Sequence, residues 1–304
     1  MKKDFLSLRD WSTDDLREIL VNAFAVKANP ARYETSLKGK ALALIFEKPS
    51  LRTRVTFDVG IHQLGGFSVY LSPAEINLGK RESVRDVAHN LERMVQGIMI
   101  RTFSQQIVAE MAQSARIPII NGLTDFSHPC QAMADYMTIL ETKRDLRGPK
   151  VAYVGDGNNV AHSLIFGAVR FGVHLALATP PGFEPAQDVV RWAQENAATT
   201  GCRLELTRDP VAAVRGADVV YTDVWASMGQ EAEAEARKRV FLPYQVNDQL
   251  MAHTAPDSVF MHCLPAHRGD EVTDSVIDSS RSVVFQQAEN RLHAQKAIML
   301  AVMQ

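Results

Sequence analysis

The chain has 304 residues, 46% of them hydrophobic and 22% charged, which suits a folded protein of about two domains and excludes disordered and fibrous classes. A formal net charge of −2 without a basic stripe argues against nucleic acid or an anionic membrane as partner. Cys130, Cys202 and Cys263 are too few and too scattered for a disulfide framework, and with no signal-peptide or membrane-length apolar run they point to the cytoplasm.

Near the start, Ser12 or Thr13 caps a helix whose Leu16, Ile19 and Leu20 recur at helical spacing. An apolar strand over 41–47 then breaks at Pro49, and a helix begins at Ser50, carrying Val55, Val59, Phe57, Ile61 and Leu64 before Gly65 and Gly66 end it. A strand at 67–71, a loop over 72–80, a helix over 83–94 and a strand at 97–101 follow, the last delivering Arg101 to its C-terminal end. Next come a helix over 105–115, a strand at 117–120, and a helix from His128 to about Thr142 with Pro129 in its first turn.

The charged stretch 142–149, closed by Gly148 and Pro149, reads as a boundary. Beyond it, strands are expected at 151–154, 173–178, 202–206, 218–224 and 258–264, with helices near 160–171, 185–199, 210–215, 244–253 and 270–279. The segment 230–240 has high helix propensity and sparse apolar anchoring, which reads as a mobile element, and 286–303 is one long helical pattern. Strands alternating with helices imply α/β architecture with a parallel sheet in each half, and the C-terminal helical pattern could pack back on either half.

The junction at Ser50 is suited to an anion. With Ser50 as cap, the N–H groups of Leu51, Arg52 and Thr53 lack intrahelical partners and point, with the positive end of the helix dipole, toward one spot, where Arg52 and Thr53 add a guanidinium and a hydroxyl. Arg101, His128 and Gln131 also fall where strands give way to loops, on the same sheet edge. Together they supply cations for a leaving phosphate and donors for an attached carbonyl.

Gly155 and Gly157 fit the first two positions of the G-x-G-x-x-G dinucleotide pattern, but Val160 stands at the third and the next strand ends at Thr179 without an acidic residue. A nicotinamide cofactor is not expected; the glycines would let backbone approach another ligand, with Asn158 and Asn159 as amide donors. Asp223 and Ser227 follow one strand, and His262, Cys263 and Leu264 end another. A carboxylate, a hydroxyl, a thiol and backbone carbonyls suit an amine-bearing substrate. A Cys–His nucleophilic pair does not fit, because adjacent strand residues face opposite sides.

From Phe5 to His293 the chain resembles the ornithine carbamoyltransferase family, and the resemblance implies two doubly wound parallel-sheet domains, over 1–140 with the C-terminal helix 285–304 packing back and over 141–284, with the active site in the cleft between them. The stretches 50–54 and 128–131 are shared with aspartate carbamoyltransferases, whereas Ser227 to Gly229 and His262 to Pro265 are of the ornithine type. The resemblance implies that Ser50, Leu51, Arg52, Thr53 and Arg101 bind the phosphate of carbamoyl phosphate, that Arg101, His128 and Gln131 hold its carbamoyl group, and that Asn159, Asp223, Ser227 and the Met228 backbone bind L-ornithine. It implies further that Cys263, the Leu264 carbonyl and Arg291 line the reacting centre, that the bond before Pro265 is cis, that no metal or organic cofactor takes part, and that the chain forms a homotrimer or a multiple of one. Asn77 stands where the family commonly has a glutamine reaching a neighbouring subunit's phosphate site, one methylene shorter. Remaining alternatives are a carbamoyltransferase for aspartate or an N-acylated ornithine, and a non-catalytic regulator of the same fold.

Overall fold

A computed structural model describes residues 2–76, 78–79, 81–226 and 233–304, so Asn77, Ser227 and Met228 of the sequence reading lie outside the described residues. The chain divides into two compact units, Met1–Met137 with Glu289–Gln304, and Thr138–Ala288.

The first unit is built on β1 (Ala41–Phe46), β2 (Phe67–Leu71), β3 (Gly97–Arg101) and β4 (Ile119–Leu123), all parallel, in the order β2-β1-β3-β4. The inner strands β1 and β3 are buried throughout, while the edge strand β2 is largely exposed. Strand alternation decides what each face meets: Ala41, Ala43 and Ile45 join Ile98 and Ile100 in one core with Val84, Val87, Val108 and Met111, from helices Val84–Leu91 and Gln105–Ser114. Helix Leu51–Gln63 follows β1, burying Phe57 and Ile61 as expected but leaving Val55 and Val59 exposed.

The C-terminal helix Val284–Met303 crosses that helix closely at Gly60, where an added Cβ would sit 3.0 Å from Met299 Cε and 3.3 Å from Lys296 Cγ. A glycine inside a helix costs roughly 1 kcal/mol relative to alanine, and here it admits a neighbouring helix. Lys296, itself buried, donates to Gln63 Oε1 at 2.8 Å across the same contact. This packing carries Arg291 to the start of helix Leu51–Gln63.

In the second unit β5 (Lys150–Val154), β6 (His174–Ala178), β7 (Arg203–Thr207), β8 (Val219–Thr222) and β9 (Val259–His262) form one parallel sheet in the order β7-β6-β5-β8-β9. Ala152, Val154, Ala176, Ala178, Val220 and Phe260 point to one face and pack with Val214, Val246, Leu250, Val272 and Ile277. In each sheet the order reverses once, between β1 and β3 and between β5 and β8. Such a reversal opens a crevice at the C-terminal strand ends, the usual ligand position in a doubly wound fold.

Several predicted elements need correction. The loop over 72–80 contains a turn of helix at Pro73–Ile76, with Glu75 accepting from the Ser72 N–H at 2.7 Å. The strand expected at 117–120 runs instead over Ile119–Leu123, because Pro118 cannot donate to a ladder. The helix expected near 244–253 is a 3₁₀ turn, Leu242–Tyr244, and a separate short helix, Asp248–Met251, divided by Val246, which bridges to Val272. The helix near 270–279 shortens to Asp274–Ile277. Within 230–240, residues 230–232 lie outside the described residues and the rest enters helix Ala234–Phe241. Its anchor is polar as well as apolar: Arg237 is buried between Phe183 and Phe241 and donates to Asp156 Oδ2 at 3.1 Å, so a count of apolar residues alone understates how it is held.

Candidate functional site

Two groups of functional side chains stand at the two reversal points, one in each unit.

In the first unit, Ser50 caps helix Leu51–Gln63, its Oγ accepting from the Thr53 N–H at 3.2 Å. Thr53 is fully buried, and its Oγ1 is the meeting point of the group: Ser50 Oγ donates to it at 3.0 Å, Arg291 Nη2 at 2.8 Å and Arg101 Nη1 at 3.4 Å. Arg101 closes β3 beside a β-bulge. Ile100 pairs with Asn121 but Arg101 with Leu123, leaving Gly122 as the extra residue, and bulges of this kind bend a strand end and re-aim the side chain beside them. Lys48 pairs with Asp125 and lies 4.3 Å from the centroid of Phe103, tying the loop after β1 to the loops after β3 and β4.

His128 precedes helix Pro129–Lys143 and is buried. Burial pushes its pKa well below the ordinary value, and the nearby charges of Arg291, Arg101 and Arg52 push it the same way, so the ring is neutral near pH 7. Gln131 Nε2 donates to the buried Asp135 Oδ1 at 2.8 Å, while its Oε1 is buried with no hydrogen-bond partner among the described residues. A buried acceptor left open is costly without a ligand, and it suits an N–H donor. Cys130, between these two residues, donates to the Asn121 carbonyl at 3.3 Å, and burial lifts its pKa to about 12, which removes it as a nucleophile. Arg54 lies against Tyr70, 4.0 Å from the ring centroid.

In the second unit, Asp223 follows β8, is nearly buried, and has both carboxylate oxygens engaged. Asn158 Nδ2 donates to Oδ2 at 2.8 Å and Cys263 Sγ to Oδ1 at 3.0 Å. Asn158 also caps helix Asn159–Phe171, accepting from the Val160 and Ala161 N–H groups, which leaves Asn159 as the first helical residue. Gly157 is explained by its own chain: an added Cβ would sit 2.3 Å from Pro185 N and 2.4 Å from Glu184 C, so its close approach is to that backbone rather than to a ligand. Burial raises the Tyr153 hydroxyl well above its usual pKa, with Asp223 and Asp156 acting the same way. Asp156 is lifted to about 6 by burial, against the pull of Arg237 and with help from Asp223.

His262 and Cys263 do diverge. The His262 ring is buried against Glu271, whereas Cys263 faces Asp223. The Leu264–Pro265 bond is cis, as the resemblance implies. Ligand atoms of Asp223, His262 and Cys263 lie within 4.8 Å of one another, but both His262 ring nitrogens are engaged, with Glu271 and with the Leu264 N–H, so the histidine has no lone pair to give a metal.

Ser50, Thr53, Arg101 and Arg291 are thus brought together in one group, with the Arg101, Arg291 and Arg52 charges reaching His128, and Asp223 and Cys263 meet in the other. Sequence reading missed Asp135, which holds Gln131, and the part played by Asn158, which grips Asp223. Asn158 carried a signal in its place just before a helix, where one residue of the Asn158–Asn159 pair must be the cap.

Comparison with known proteins agrees with this division. Residues 3–141 match the family model for the carbamoyl-P binding domain of aspartate/ornithine carbamoyltransferase, and 147–302 match that for its Asp/Orn binding domain. The chain is 55% identical to an ornithine carbamoyltransferase of Thermococcus kodakarensis, covering 99% of this chain and 96% of that one. It is 53% identical to the anabolic ornithine carbamoyltransferase of Pyrococcus furiosus, again covering 99% and 96%. A solved ornithine carbamoyltransferase from Pyrococcus furiosus superposes with a TM-score of 0.96 at 53% identity, covering 99% of this chain and 97% of that one.

The first group predicts a concrete anion affinity. Arg101→Leu should weaken binding of inorganic phosphate, measured by calorimetry, about 10- to 150-fold, since a hydrogen bond to a charged group contributes about 1.5–3 kcal/mol. Unchanged affinity in a folded variant would take Arg101 out of the site.

Proposed function

The chain belongs to the aspartate/ornithine carbamoyltransferase family, and from that premise we propose that it transfers the carbamoyl group of carbamoyl phosphate to the δ-amine of L-ornithine, giving L-citrulline and phosphate. The observation that carries this reading is the opposed charge of the two groups. Three arginines bear on a neutral His128 in one unit, and in the other the Asp223 carboxylate is held only by neutral donors, Asn158 and Cys263. One suits a phosphate and the other an ammonium.

On the anion side, Ser50, the N-terminal end of helix Leu51–Gln63 that it caps, Thr53, and the guanidinium groups of Arg52 and Arg101 take the phosphate. Neutral His128, Thr53 and Arg101 donate to the carbamoyl oxygen, and the open Gln131 Oε1 accepts from the carbamoyl NH₂. On the acceptor side, Asn159, Asp223, Ser227 and the Met228 backbone hold the amino-acid end of ornithine. Cys263, the Leu264 carbonyl and Arg291 border the reacting centre.

The neutral δ-amine attacks the carbamoyl carbon, and a new C–N bond forms as the carbonyl electrons move onto oxygen, where the donors stabilise them. Collapse of this tetrahedral species breaks the bond from carbon to the phosphate oxygen. The proton that the amine sheds passes to the departing phosphate, which leaves as the hydrogen phosphate dianion that the arginines hold. Only the unprotonated amine carries the attacking lone pair, and a free alkyl amine has a pKa of about 10.4.

Aspartate fits poorly as acceptor. Its second carboxylate would meet Asp223, and an unpaired desolvated carboxylate costs several kcal/mol. Acetylornithine is disfavoured for a related reason, because acylation removes the ammonium that Asp223 suits. The expected order of kcat/KM at saturating carbamoyl phosphate is ornithine first, lysine lower by about 1–3 kcal/mol in transition-state binding for its extra methylene, and acetylornithine and aspartate last. A higher value for aspartate or acetylornithine would leave the phosphate half standing and overturn the acceptor half.

The direction proposed is toward citrulline, in arginine biosynthesis, supported by the anabolic name of the Pyrococcus furiosus relative. A cytoplasmic setting is supported by three cysteines outside any disulfide. Among the described residues, no helix is long and apolar enough to cross a membrane. The proposed assembly is a homotrimer or a multiple of trimers. Exposed apolar side chains support it: Leu51, 75% exposed, lies on one helix face with Val55 and Val59, and Phe67 and Val69 are exposed on the edge strand β2. Sedimentation should give three times the 33.7 kDa of one chain, or a multiple of that, and a monomer at micromolar concentration would refute the assembly.

A further inference from the structure

We propose that Glu271 and His262 form a buried positioning pair that fixes the Cys263–Leu264 turn of the acceptor site. The proposal rests on the reading above that places Cys263 and the Leu264 carbonyl at the reacting centre.

His262 ends β9 with no exposed surface, its backbone N–H donating to Gln287 Oε1 at 2.9 Å. Its Nδ1 accepts from the Leu264 N–H at 2.8 Å. A ring nitrogen that accepts carries no proton, so in the neutral ring the proton is on Nε2. Nε2 lies 3.1 Å from Glu271 Oε1, which accepts from it. The same oxygen accepts from the His267 N–H at 2.6 Å, while Glu271 Oε2 is buried without a hydrogen-bond partner among the described residues. A fully buried carboxylate with one oxygen unsatisfied is a costly way to support a loop. Its specific effect here is to select the tautomer of His262.

That choice decides the turn. Leu264 has φ +59°, in the left-handed region that a leucine rarely adopts. The Nδ1 lone pair holds its N–H and with it the plane of the Cys263–Leu264 peptide, from which Cys263 Sγ reaches Asp223 Oδ1. With the proton on Nδ1 instead, two N–H groups would face each other and the turn would have to open. Glu271 acts through His262 and touches no substrate. It is a positioning residue.

The test compares Glu271→Ala and Glu271→Gln in the full-length protein, with ¹⁵N NMR of His262 and steady-state kinetics. The unsubstituted protein should carry the proton on Nε2. Glu271→Ala should populate the Nδ1 form and lower kcat/KM for ornithine about 10- to 100-fold, the range typical for loss of an outer-shell hydrogen bond. Its calorimetric affinity for inorganic phosphate should be unchanged. Glu271→Gln keeps an acceptor oxygen and should restore both tautomer and rate. A folded Glu271→Ala with unaltered kcat/KM, or an unaltered tautomer in any variant that loses rate, overturns the proposal. If Glu271→Ala does not fold, Glu271→Asp, shorter by one methylene, makes the same comparison, with wild-type kinetics as the overturning result. The tautomer is read without turnover, so an inactive unsubstituted protein would count against the reaction while the pair is still judged by NMR.

Discussion

The hydrogen bond from Arg291 to Thr53 Oγ1 is the contact on which the anion site depends. It joins residues 238 positions apart, and it forms because Gly60 lets the C-terminal helix come close enough to carry Arg291 to the capped end of helix Leu51–Gln63. Three features that are separate in sequence then act at one place: a helix start capped by Ser50, a guanidinium delivered by the end of β3, and another delivered from near the C-terminus. Gathering like charges in a buried place is unfavourable in itself. A dianion between them would reverse the sign of that term, which is the physical ground for proposing the group as a binding site.

The acceptor group follows the opposite principle. Asp223 is held through both oxygens by Asn158 and Cys263, so its carboxylate is fixed in orientation before any substrate arrives. Both partners are neutral donors, so nothing in these contacts cancels a carboxylate's attraction for a cation or its repulsion of a second carboxylate. On the proposed reading, selectivity among amines rests on charge, and on the turn after β9 that aims Cys263.

Much of this was legible in the chain. Ser50 reads as a cap because a polar residue follows an apolar strand and a proline, and the fold makes it one. Arg101 and Asp223 read as strand-end residues because the strands before them are short apolar runs, and both sit at reversal points of their sheets. What sequence could not give is set by contacts between distant segments. Nothing local marks Glu271 as the partner of His262, since a carboxylate on a loop looks solvated until packing buries it, whereas Asp135 lies four residues after Gln131 on one helix, a spacing at which such pairs meet, and was open to reading. Gly157 misled for a related reason: its lack of a side chain serves the passage of residues 183–185, which pattern matching cannot distinguish from a ligand.

The central claim is that arginine charge converges on a buried, neutral His128, and the titration of that imidazole tests it most directly. In the ligand-free protein, NMR of the His128 ring should show it titrating well below an ordinary imidazole, with Arg101→Leu moving the titration upward. A midpoint near the ordinary value of about 6.5, unaffected by Arg101→Leu, would contradict the account.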